Sequence, residues 1–281
     1  MKFHVTLFLI LFFTPFIYSQ DSPEDVLNKA HSEYKNKNYE EAIILYNEYL
    51  DDSKMDTSSV YFYRGNCYSQ TGNFKKALDD FNKYLANFPD DPAGYFYRGY
   101  LYHGKDKFPD SRELAIDDYT KSIELYEKNA DAYYNRAILY IELQKNGLAM
   151  EDLNEAILLD PENYDAYVGR GRIYDKNKNF TAAIDDLDMA IKLQKDMPRL
   201  YYERGKIYLR NSFFLDAVID FTIALKLDPD YADAYNWRGA AFYNMKKYEE
   251  AVKDWDKSVQ IKPELKESLK EVYDDAKKHL N

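Results

Sequence analysis

Apolar and small residues along this chain recur in paired segments, each with helical spacing. Between Tyr201 and Leu225, Tyr201, Tyr208 and Leu209 make one set, and Ala217, Val218, Phe221, Ala224 and Leu225 make the next. Each set falls on one face of a helix of period 3.6. The same arrangement returns down the sequence. Tyr61-Phe-Tyr-Arg-Gly65, Tyr95-Phe-Tyr-Arg-Gly99, Tyr133-Tyr-Asn-Arg-Ala137, Tyr167-Val-Gly-Arg-Gly171, Tyr201-Tyr-Glu-Arg-Gly205 and Tyr235-Asn-Trp-Arg-Gly239 all match, in steps of 34, 38, 34, 34 and 34 residues. An alanine follows twelve residues after the small residue (Ala77, Ala149, Ala183, Ala217, Ala251), or sixteen after it in the long unit (Ala115). Four residues inserted between the two halves of that unit explain both irregularities. One such pair cannot bury its own apolar surface, but stacked neighbours can, so the pattern predicts an array in which each pair packs on the next.

The period of 34, the aromatics at positions 4, 11, 17 and 24, the small residues at 8, 20 and 27, and a proline near 32 (Pro89, Pro161, Pro229, Pro263) resemble the tetratricopeptide repeat family. The resemblance implies an all-α fold: an α-solenoid of about seven helix pairs, forming a right-handed superhelix with a C-terminal capping helix. The units fall at 23–56, 58–91, 92–129, 130–163, 164–197, 198–231 and 232–265, within an array spanning 20–265. The first is the weakest, with Val26 at position 4 and no closing proline. Leu265, Leu269, Val272, Tyr273, Ala276 and Leu280 share one face of a last segment, so residues 266–281 are expected to cap the array. Cys67, the single cysteine, falls beside the helix-pair contact and reads as a small buried residue rather than a reactive thiol.

One repeated feature departs from the family pattern. Position 7, usually apolar, is Arg64, Arg98, Arg136, Arg170, Arg204 or Arg238, and position 23 of the same units is Asp80, Asp118, Asp152, Asp186, Asp220 or Asp254. The first unit has Lys29 and Leu45 there. Both positions lie equally far from the inter-helix turn, so antiparallel helices would set them side by side. Six within-unit Arg–Asp pairs are therefore expected, as parts of the fold rather than of a catalytic site.

Residues 1–19 stand apart. Lys2 is followed by an uncharged stretch from Val5 to Tyr18, and small Ser19 precedes Gln20. Fourteen residues are short of the about 20 that span a bilayer, but they suit a cleaved secretory signal, with an uncleaved anchor as the alternative. Export to the periplasm or beyond is the expectation. The net charge of −11 argues against nucleic acid as a partner. The four histidines are scattered, and no phosphate loop or nucleophile motif occurs, so an enzyme is not expected, nor a metal or other cofactor.

In the family the first helices line a concave groove. Carried over by position, the resemblance implies groove residues Phe62, Asn66, Phe96, Tyr100, Tyr134 and Ile138 in the earlier units, and Arg172, Lys176, Tyr202, Lys206, Arg210 and Tyr243 in the later ones. Asp175, Arg199 and Leu209 fall at groove positions as well. This groove reads as aromatic at first and basic in the fifth and sixth units. It would suit a protein or extended peptide segment with apolar anchors and acidic residues, held by an exported scaffold. Two alternatives stand beside this: tyrosines merely abundant and cations merely solvated, or a structural part of an envelope assembly held by its convex surface or its N-terminus. The Lys/Asn/Arg set with which chaperone-binding members grip a carboxylate is replaced here by Leu27, His31, Phe62 and Asn66.

Overall fold

A computed structural model of the chain describes residues 22–52, 57–104 and 110–280. The expected secretory segment lies outside these residues, as do residues 105–109 of the insertion. Two compact units divide the chain at Pro89 and Asp90. The first holds α1 (Pro23–Lys35), α2 (Tyr39–Asp52), α3 (Ser58–Gln70) and α4 (Phe74–Asn87). The second holds α5 (Pro92–His103), α6 (Ser111–Leu125), α7 (Ala130–Glu142), α8 (Asn146–Leu159), α9 (Tyr164–Lys176), α10 (Phe180–Leu193), α11 (Pro198–Arg210), α12 (Phe214–Leu227), α13 (Ala232–Asn244), α14 (Tyr248–Ile261) and α15 (Leu265–Lys278). No strand occurs among the described residues. Within each unit every helix packs on the next in sequence, the all-α repeat architecture that the 34-residue period predicts.

Local signals explain where the helices begin. Ser22 and Asp25 form a reciprocal capping box, and the side chains of Asp91, Asn129, Asn163 and Asn179 accept from the first-turn amides of α5, α7, α9 and α10. Pro23, Pro92 and Pro198 occupy a helix start where no amide hydrogen is needed. Between the helices of every pair one residue takes the left-handed conformation: Lys37, Gly72, Asp110, Gln144, Lys178, Ser212 and Lys246, with φ between 52° and 79°. In six of them, all but Asp110, the next amide then reaches back five residues, as Asn179 does to the Tyr174 carbonyl (2.8 Å) and Phe213 to that of Tyr208 (2.9 Å), the closure that ends many helices.

The contact inside each pair rests on a small residue facing a large one. A Cβ added at Gly205 would lie 2.9 Å from the Phe221 ring, and one at Gly239 would lie 2.7 Å from Trp255 Nε1. The large residue is Leu153 in the pair α7–α8, and there Ala137 fits, fully buried. Cys67 is likewise fully buried, among Val26, Ala30, Ala42, Tyr46 and Val60, and burial pushes its thiol pKa up to about 12.

At the C-terminus α15 covers Trp255 with a narrower stripe than the periodicity predicts. Leu269 and Ala276 are buried there, with Leu265 and Tyr273 packed beside them. Val272 and Leu280 remain 38% and 46% exposed.

Candidate functional site

All six Arg–Asp pairs form. In each, Nε and Nη2 of the arginine donate to the two carboxylate oxygens of its aspartate at 2.7 to 2.9 Å. The aspartates are buried, 2% or 5% exposed. Tyrosines three residues before each arginine stack on the guanidinium, and an aromatic four residues after it covers Arg64, Arg136, Arg170, Arg204 and Arg238 as well. Burial by itself would lower the pKa of Arg64, Arg98, Arg136 and Arg204, but the hydrogen bonds and charge of the paired aspartate outweigh it and raise each one.

Sequence reading missed the third arm of this clamp. Nη1 reaches back into the preceding pair, seventeen residues from Arg64 to Asn47 (2.7 Å) and sixteen from Arg136 to Thr120 (2.9 Å), Arg170 to Asn154 (2.8 Å), Arg238 to Thr222 (3.0 Å) and Arg204 to Asp188. Beyond the last pair, the Tyr273 hydroxyl of α15 donates to Asp256 (2.8 Å), the corresponding acceptor of α14. The clamp thus ties the two helices of a pair together and docks that pair on its predecessor.

The expected groove residues fall in both compact units. In the first, Phe62 packs edge-on against Phe81 and beside Tyr84. Asn66 is buried and donates to the Phe62 carbonyl of its own helix (3.0 Å). His31 Nδ1 lies 2.8 Å from the Tyr46 hydroxyl, and burial lowers the imidazole pKa. At this corner Asn66 and His31 are thus each engaged by groups of the chain itself.

In the second unit Phe96 is half-buried against Tyr119, whereas Tyr100 is 51% exposed. Ile138 is half-buried, and Lys176 is exposed. Leu209 leaves the face altogether, buried with Ala217, Phe221 and Ala241. Tyr243 turns toward α15 and donates to Asp275 (2.6 Å).

The remaining residues lie on the first helices α7, α9 and α11: Tyr134 on α7, Arg172 on α9, and Tyr202, Lys206 and Arg210 on α11. Arg172 donates to Glu203 (2.6 Å), Lys206 lies 3.5 Å from the other Glu203 oxygen, and Arg210 pairs with Asp175. Two carboxylates of the chain itself, Glu203 and Asp175, thus engage Arg172, Lys206 and Arg210 of the stretch read from sequence as basic. Burial would raise the pKa of Glu203, but the charges and hydrogen bonds of Arg172 and Lys206 hold it below the usual carboxylate range.

Around this cluster, Lys206 Nζ sits 5.0 Å from the Tyr202 ring centroid, Tyr231 packs against Tyr202 with centroids 5.0 Å apart, and Trp237 hydrogen-bonds the Tyr202 hydroxyl. Burial first, then nearby carboxylates, pushes the hydroxyls of Tyr134, Tyr202 and Tyr231 up to about 12. Glu203 and Trp237 escaped sequence reading because they share the sixth position, whose residue changes from unit to unit. That variability, beside invariant neighbours, is the signal that could have found them.

Tetratricopeptide repeat models match residues 58–91 and 232–265, and a second model of the same repeat matches residues 134–198. Comparison with curated protein sequences returns no match. Among solved structures, the chain is similar to a tetratricopeptide repeat protein from Parabacteroides merdae, at 19% identity and a TM-score of 0.64, over 92% of this chain and 99% of that one. It is similar to the C-terminal part of a repeat protein from Cytophaga hutchinsonii, at 18% identity and a TM-score of 0.67, over 84% and 95%. It also resembles YrrB, described as a repeat protein with an unusual peptide-binding site, at 23% identity and a TM-score of 0.56, over 65% and 92%. At these identities the likeness is one of fold. The matched segments of this chain are tetratricopeptide repeats, within an all-α array of helix pairs.

Proposed function

We propose that this chain is an exported scaffold that binds a protein or an extended peptide segment along successive first helices of its second unit. The observation carrying this reading is the cluster on α9, α11 and α13, where half-buried Tyr202 and Tyr231 and partly exposed Trp237 surround the Arg172–Glu203–Lys206 set. Aromatic side chains in such settings contribute most to binding energy, because they bury large area at small entropic cost. With the neighbouring cations already paired, the favoured partner presents apolar anchors and hydrogen-bonding backbone, and a high acidic charge is not required. YrrB, a protein of similar fold described as having an unusual peptide-binding site, supports a peptide ligand by analogy. Export rests on the N-terminal residues, which read as a secretory signal.

The test is site-specific photocrosslinking in the native cells, with a photoreactive phenylalanine at Tyr134 or Tyr202 and, as control, at exposed Glu151 on α8. Products from the first-helix sites and none from Glu151 are expected. Products from Glu151 alone would favour a structural component held by its outer surface.

A further inference from the structure

The first-helix cluster of the second unit holds hydroxyl donors that have no acceptor. Those of Tyr134 and Tyr231 meet no hydrogen-bond partner among the described residues. That of Tyr202 accepts from Trp237, whose indole nitrogen can only donate, so its own hydrogen is still to be placed. All three phenols keep that hydrogen at neutral pH. Arg199, exposed on α11 and in no ion pair of the described residues, adds further donors. Its charge reaches the hydroxyls of Tyr134, Tyr164 and Tyr231 alike, which sets these side chains on one continuous face.

The acceptors of this face are already engaged. Glu203 receives Arg172 and Lys206, Asp165 receives the Tyr164 hydroxyl, and Lys262 lies 3.5 Å from Asp233. These carboxylates stand among Arg172, Arg199 and Arg210, so both signs of charge act on the three hydroxyls and neither selects the ligand. The face therefore presents aromatic surface, in Tyr202, Tyr231 and Trp237, together with donors that lack acceptors.

Hydrogen-bond chemistry narrows what can lie there. An ordinary extended segment carries an N–H at every residue, and each one turned onto this face would be left unsatisfied at a cost. Proline has no N–H, while its carbonyl still accepts. A run of prolines is preset as a polyproline II helix, and aromatic-lined grooves recognise such segments with little ordering cost. Resting on the function proposed above, we propose that this face binds a proline-rich segment, its carbonyls accepting from the tyrosine hydroxyls and its rings packing on the aromatic side chains.

Three labelled decapeptides test the proposal by fluorescence anisotropy with the full chain: ten prolines, alternating alanine and serine, and ten glutamates. Decaproline is expected to bind with a Kd below about 500 μM, at least about fivefold more tightly than either other peptide. It should bind a Tyr202→Phe/Tyr231→Phe variant at least about fivefold more weakly, since that variant keeps the rings and loses the hydroxyls. Circular dichroism would verify the fold of the variant. No decaproline binding up to about 1 mM, or equal binding to chain and variant, would overturn the proposal. Equal or tighter binding of the alanine-serine or glutamate peptide would overturn it too, while leaving a peptide-binding scaffold of other specificity. Crosslinking at Tyr134 and Tyr202 is read independently of these peptides, so the scaffold reading stands or falls separately.

Discussion

Arginine meets carboxylate in two regions of this molecule, and the two are built differently. Inside the helix pairs, from α3–α4 onward, the same two-pronged clamp recurs six times, buried and stacked between aromatics. On the first helices α9 and α11, Arg172–Glu203–Lys206 and Asp175–Arg210 occur once, and the Arg172 and Arg210 side chains are 47% and 48% exposed. Repetition marks the first region as architecture, because a binding site has no reason to recur at every step of an array. The same reasoning turns attention to whatever occurs once. The first described pair, α1–α2, sharpens the contrast: Lys29 and Leu45 replace the arginine and aspartate there. The clamp is thus as much a joint between pairs as a brace within one.

The largest effect is expected where that joint is cut. Arg136→Leu leaves Asp152 buried without its two-pronged partner and removes the hydrogen bond to Thr120. A loss of about 3 kcal/mol in urea unfolding is expected, because a stranded buried charge costs more than the pair contributes. Arg136→Leu/Asp152→Leu should lose less than half of that, since replacing both partners by apolar groups is often close to neutral. A double variant as unstable as the single one would refute the pairing as an energetic unit.

A smaller, pH-dependent effect is expected in the solitary region. Glu203→Gln should cost about 0.5–1 kcal/mol at pH 7, modest because Arg172 is half-exposed and solvent screens the pair. The sign follows from the lowered pKa of Glu203 in the folded chain. Its stabilisation is complete above the usual carboxylate value of about 4.3 and is lost as pH falls through the lower, folded value. The difference between the two proteins in urea midpoint should therefore hold down to about pH 5 and close toward about pH 3. A difference that stays constant across this range would assign Glu203 a packing role only.

How much of this was legible depends on whether one residue type marks the position. The helix pairs and the Arg–Asp pairing were legible because tyrosine, arginine, the small residue and aspartate return at fixed distances. The backward arm of the clamp was not, although it spans sixteen or seventeen residues each time, because its acceptor changes among Asn47, Thr120, Asn154, Asp188 and Thr222. Any oxygen at that distance serves, so no residue type is selected. The pairing of the groove cations was not legible for another reason: Glu203 lies on α11 and Arg172 on α9, and a tally by position cannot show a charge arriving from the next pair.

The smallest expected effect tests the repeated backbone rather than a side-chain contact. Every pair places one residue at positive φ between its helices, yet Gly72 is the glycine among Lys37, Asp110, Gln144, Lys178, Ser212 and Lys246. A side chain with a Cβ in this region costs about 1 kcal/mol, partly offset by the greater freedom that glycine gives the unfolded chain. Ser212→Gly should therefore stabilise the fold by roughly 0.5 kcal/mol, and Gly72→Ser should destabilise it by a similar amount, both read as shifts in urea midpoint with an unchanged slope. Equal and opposite shifts would show that the turn is one backbone unit whatever residue fills it. If Ser212→Gly were instead destabilising, the serine would be making a contact special to the α11–α12 pair, and this turn would join Glu203 among the features that occur once.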